Sequence, residues 1–388
     1  MNLIQQVENF RSINLNGYSH TSNNLHPYFK SIYVELYDLV LQHIINGDPD
    51  RIRKRLEEYR LQLQSGLLYE NKKIIIGKWH SDLYVSLHLS SIYYQLVDYY
   101  IDDFPIIDFL EKISKEGLYS KLDELDYSDA WRVSNEIMSY AVLLSFNAKR
   151  GCNVDSVEWC FDYIESRQNK ISGLWASENK KSILNSLAAT FHYLPLYDFL
   201  KKPVKNPKKI LDSVLSLKLP NGFFSSPAGY ACIDYDCIAI LFFLVQQDSI
   251  ENFISLKQKN EISSIALELR QSIIDMINSD GGFPEFGREG NPVSSSIIAL
   301  MSYRKHQCFE TYLWNMKKIA RLFIQSDKLA YSNSVLMCVS KPHESNSFSV
   351  WFRYMTILIC EDMLEYLGQN IDRSAKPKRF DLPGLGRL

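Results

Sequence analysis

Two aspartates two positions apart, Asp234 and Asp236, open a strongly apolar stretch that reads Asp234-Tyr-Asp236-Cys237-Ile-Ala-Ile-Leu. A carboxyl buried at the start of such a stretch keeps its proton, because desolvation disfavours the charged form. A second carboxylate close by pushes one of the two pKa values higher still. Asp234 is then placed to share a proton with Asp236 or to hold its orientation. Cys237 follows Asp234 by three residues, on roughly the same helical face, within reach of the acid. The same aspartates also meet a simpler demand. Asp at a helix N-terminus accepts hydrogen bonds from orphan N–H groups and meets the positive end of the helix dipole. The two readings differ in where the carboxylates point.

The elements that must hold these residues come from a repeat. Three Gly-x-aromatic triplets, Gly173-Leu-Trp175, Gly222-Phe-Phe224 and Gly281-Gly-Phe283, recur along the middle of the chain. Each follows an amphipathic helical stretch (155–168, 208–217 and 262–279) and precedes a more apolar one (182–199, 234–246 and 294–303). Glycine just past a helix end permits a left-handed backbone. Weaker copies flank these units: 54–64 with 79–100, 109–121 with 131–146, and 312–325 with 348–366. A single hairpin cannot bury its apolar faces, so neighbours must stack. The spacing predicts an all-α fold, an (α/α)6 toroid of about six hairpins with the more apolar helices forming the inner ring. Its expected limits are residues 46–368. Residues 1–45 are expected as an N-terminal helical extension and 369–388 as a basic, Pro- and Gly-containing tail.

A formal net charge of −2 gives no field that points to nucleic acid. The start of the chain lacks a signal peptide's basic and apolar regions, and no apolar run is long enough to span a membrane. Seven scattered cysteines without a C-x-x-C pair fit a reducing cytoplasm better than a disulfide framework. The 24 Tyr, 20 Phe and 6 Trp allow either a thick core or a cavity walled by aromatic faces.

The repeat resembles the α/α toroid superfamily of terpene cyclases and protein prenyltransferase β subunits. Asp234-Tyr-Asp236-Cys237-Ile-Ala239 is similar to the D-x-D-D-T-A motif of class II cyclases and its D-C-T-A version, with Ile238 in place of Thr. Lys78-Trp79-His80-Ser-Asp-Leu-Tyr84 resembles a segment that starts an inner helix in bacterial diterpene cyclases. The resemblance implies acid-initiated cyclisation or isomerisation of an isoprenoid, with Asp236 as proton donor supported by Asp234 and Cys237. It implies no cofactor, with Mg²⁺ required only for a diphosphate substrate. The zinc set of the prenyltransferases is missing, because Asp234-x leads to Asp236 rather than to Cys.

Such chemistry needs aromatic faces that hold a cation without quenching it. Trp79, Tyr84, Trp131, Trp175, Phe224 and Phe283 are the candidates, with His80 beside them. Arg288 is suited to a diphosphate or carboxylate. Two other classes compete. A glycan-active toroid (lyase, hydrolase or epimerase) would need a further carboxylate such as Glu178 or Glu285, since Asp234 and Asp236 are too close to flank a sugar. A non-catalytic toroid would hold a lipid or a partner helix, with both aspartates serving as caps. A polar cleft favours sugars, and a narrow aromatic pocket favours isoprenoids. Oligomeric state leaves no trace in the sequence.

Overall fold

A computed structural model describes residues 3–14, 32–60, 63–64, 67–68, 82–175, 183–219, 222–224, 229–247, 254–284, 296–297, 300, 312–313, 316, 345, 347–373 and 378–387. The structure is all-α apart from a two-stranded ribbon, Leu63–Gln64 with Leu67–Leu68. The helices are α1 (Leu3–Asn14), α2 (Ile32–Ile44), α3 (Pro49–Arg60), α4 (Asp82–Tyr100), α5 (Asp108–Glu111), α6 (Lys115–Asp123) and α7 (Ala130–Lys149). They continue with α8 (Ser156–Ser166), α9 (Ile183–Phe199), α10 (Pro207–Ser216), α11 (Ala231–Val245), α12 (Leu256–Ile274) and α13 (Ser347–Tyr366).

Packing follows the predicted alternation of amphipathic and apolar helices. Every residue of α11 is buried, whereas α10 buries only Ile210, Leu211 and Val214. A helix apolar all round must be covered on all sides, and one with a single apolar stripe lies outside it. Thus α4, α7, α9, α11 and α13 pack side by side. The helices α3, α8, α10 and α12 pack against them from outside. The segment read as an N-terminal extension supplies α2 to this arrangement. It buries Leu36, Tyr37, Leu39, Val40, Leu41 and Ile44 and touches both α4 and α13, which closes the ring. The inner helix expected over 294–303 lies almost wholly outside the described residues.

Local signals set the helix starts. Asp129 accepts from the Trp131 and Arg132 amides at the head of α7, and Ser255 forms a capping box with Gln258 at the head of α12. The three triplet glycines take the expected left-handed backbone, with φ of 76°, 86° and 82° at Gly173, Gly222 and Gly281. At Gly281 a Cβ would also overlap the carbonyl oxygen of Gln6 in α1. Gly281→Ala therefore carries both a strained φ and a clash, and is expected to lose more than ~1 kcal/mol in urea denaturation.

Candidate functional site

The inner helices carry buried polar groups among their apolar and aromatic residues. Asp234 is fully buried, and both its oxygens are engaged. Oδ1 accepts from the Phe224 amide at 2.9 Å, and Oδ2 from the Tyr230 amide at 2.9 Å and from Arg353 Nη1 at 2.6 Å. It thus ties the second glycine loop to the start of α11 and to the middle of α13. Burial pushes its carboxyl above the ordinary range, against the pull of Arg353 and the two amides.

Asp236 is different. Its side chain is 2% exposed, yet its carboxyl makes no hydrogen bond among the described residues, and Oδ2 is completely buried. Burial, reinforced by the Asp234 charge, pushes its pKa well above the usual carboxylate range. Asp236 does not act as a cap, whereas Asp234 bonds the backbone as a cap would. The two aspartates therefore divide the roles that the sequence left open. Asp234 orients backbone and Arg353, and no bond links it to Asp236 among the described residues. Cys237 is fully buried, and burial pushes its thiol far up, so it stays protonated.

Other buried polar groups lie on the neighbouring inner helices α4, α7 and α9. Ser134 Oγ in α7 lies 2.8 Å from Trp131 O and 2.8 Å from His192 Nδ1 in α9. Which of Ser134 and His192 donates depends on the imidazole tautomer, since the single serine proton can go to Trp131 O or to Nδ1. Burial lowers the His192 pKa to about 3, with His88 adding to the shift, and burial lowers His88 to about 4. Glu136 is buried beside Arg132 at 3.1 Å, and burial raises its pKa.

The aromatic candidates fall into three groups. Trp175, Phe224 and Phe283 are buried and bind the hairpins together; Trp175 Nε1 donates to Ile164 O at 2.7 Å, and its ring meets Tyr193 and Tyr197 edge-on. Trp131 is only partly buried and lies 6.2 Å from the ring of Tyr230, the residue before α11. Trp79, His80 and Arg288 lie outside the described residues, as do Glu178 and Glu285, and of Tyr84 only its place in α4 is described. Sequence reasoning missed Arg353, His88 and Ser134. Arg353 left a signal, a lone cation in the apolar run Val350-Trp-Phe-Arg353-Tyr-Met, which demands a buried partner.

A solved polysaccharide lyase superposes on this architecture with a TM-score of 0.50, covering 96% of this chain and 99% of its own at 10% identity. The chain shares that lyase's fold. No family model matches the sequence, and no curated protein matches it. At that identity the likeness extends to the toroid alone, and a terpene-cyclase relationship gains no support from it. Among the described residues no helix is long and apolar enough to cross a membrane, and no group of three His, Cys, Asp or Glu side chains is placed to hold a metal ion.

Proposed function

We propose that this chain is a glycan-active enzyme of the α/α toroid type in which Asp236 serves as a neutral carboxylic acid. The observation that carries the reading is the Asp236 carboxyl itself, buried and without a hydrogen-bond partner among the described residues. An unpaired buried acid is costly for folding, and perturbed acids of this kind concentrate at functional sites. In such a role the acid gives its proton to the departing glycosidic oxygen as the carbon–oxygen bond breaks; in hydrolysis water adds to the sugar carbon and its proton returns to the carboxylate, and in elimination the proton lost from the adjacent carbon returns to it. His192 offers a neutral imidazole to a sugar hydroxyl, and Trp131 offers a partly open ring at the start of α7. The buried Ser134, Asn135, Glu136, Ser139, His88 and His192 suit a hydroxyl-rich ligand better than a hydrocarbon.

A second reading, acid-initiated cyclisation of an isoprenoid, uses the same neutral acid. It draws on the aromatic cluster of Tyr235 with Phe191, Trp351 and Phe352, whose ring centroids lie 5.1–5.3 Å from that of Tyr235. Those rings pack edge-on against one another, so their faces serve the core.

The test uses purified full-length chain with neutral and uronate-containing glycans, reading unsaturated products and new reducing ends, with isoprenoid diphosphates in parallel. Asp236→Asn is expected to lower glycan turnover by ~10²–10⁴-fold. The same variant is expected to be more stable than the wild type at neutral pH. A carboxyl with a raised folded pKa loses stability as pH rises above its unfolded value, and asparagine does not. Turnover unaffected by Asp236→Asn, or turnover of isoprenoids alone, would overturn the glycan reading.

A further inference from the structure

The basic tail enters the ring. Within residues 378–387, Phe380, Leu382, Pro383, Gly384, Leu385 and Gly386 are all buried. The segment touches each of the inner helices in turn. Phe380 stacks flat on His43 of α2 at 4.4 Å, and Gly384 lies against the Gln95 amide of α4. Asp381 meets Lys149 of α7 at 3.7 Å, and Arg387 meets Asp198 of α9 at 2.7 Å. Arg379 covers Phe242 of α11 and pairs with Asp362 of α13. Most of these partners stand in the last turns of their helices. The exception is Trp351, beside Gly386, which lies about three turns back from Asp362 along α13. The Trp351 ring in turn packs edge-on against that of Tyr235, the residue next to Asp236, with centroids 5.3 Å apart.

We propose that residues 378–387 are a removable plug, filling the axis of the ring from the C-terminal rim of the inner helices as far as Trp351. Two features mark the segment as docked rather than woven in. Its own backbone closes the turn, with Gly384 N–H donating to Leu382 O at 2.8 Å and Arg387 N–H to Gly384 O at 3.3 Å. Beneath it, Gln95 Oε1 and Trp351 Nε1 are buried without a hydrogen-bond partner among the described residues. Those groups regain water when the segment leaves, so its apolar contacts are opposed at the same interface. Withdrawing the plug would open the ring axis from the C-terminal rim of the inner helices.

Amide hydrogen exchange on the full chain tests it, with two variants. Leu382→Asp places a charge in the apolar axis, and Gly384→Val drives a branched side chain into Gln95. Each is expected to speed exchange ~10-fold or more over 378–387 and the last turns of α2, α4 and α9, with helical circular dichroism retained. Excess synthetic peptide of residues 378–387 is expected to restore slow exchange in Leu382→Asp by reseating in trans. Unchanged exchange in both variants would overturn the proposal. So would loss of helical signal in both without rescue by the peptide, since the segment would then be core.

Discussion

Asp234→Ala is expected to be among the most destabilising substitutions in the chain, costing about 3–5 kcal/mol in urea denaturation. The Asp234–Arg353 pair is completely buried on both sides at 2.6 Å. Removing the carboxylate takes the counter-charge from a guanidinium that cannot lose its proton. It also leaves the Phe224 and Tyr230 amides without their acceptor. Arg353→Met is expected to cost less, because burial already raises the Asp234 pKa and the carboxyl neutralises itself by taking a proton. The order, Asp234→Ala worse than Arg353→Met, is the informative result. Equal costs would mean that the pair is not the latch between α11 and α13. Restored stability in a double variant with apolar residues at both positions would identify the ion pair itself as the burden on the fold.

Acid is expected to unfold the protein through its histidines. His43, His88 and His192 are buried, and burial, the first cause at each, lowers their pKa values to about 4, 4 and 3. In the unfolded chain each titrates near ~6.5. Between those values the unfolded chain binds more protons, so stability is full above ~6.5 and falls as pH drops toward ~4. Each imidazole contributes about 3 kcal/mol to that loss. The raised carboxyls of Asp236, Asp234 and Glu136 act in the opposite sense, losing stability as pH rises above their unfolded values. A comparison with His192→Gln therefore isolates the histidine. From roughly pH 7.5 to roughly pH 4.5 the wild type is expected to lose about 3 kcal/mol more than the variant. Parallel pH profiles would mean that His192 is charged or hydrated in the fold. The acid-sensitive groups include His43 beneath Phe380, so the same titration presses on the seat of the plug.

The toroid was legible because it rests on periodic signals. The alternation of amphipathic and apolar helices, and glycine at the hairpin turns, are local properties of the chain. They gave the inner and outer assignment of α7 to α11 and the left-handed glycines. The role of α2 was not legible. Its segment looks mixed in sequence, and only its contacts with α4 and α13 show that it belongs to the ring. The same holds for the tail, whose prolines, glycines and basic residues read only as a basic tail until the burial of 380 and 382–386 is seen.

For the site, the sequence by itself determined that two carboxyls would stand at the head of a wholly apolar helix, a place where acids are perturbed. Whether either would be free depended on groups far away in the chain. Arg353, 119 residues from Asp234, arrives on another helix and claims the first carboxyl together with two backbone amides. Asp236 receives no such partner among the described residues, and burial raises its pKa well above the usual carboxylate range. Helical period and turn chemistry act over a few residues and are written along the chain. Charge compensation and burial act through space, and only ring closure decides which partners are brought within reach.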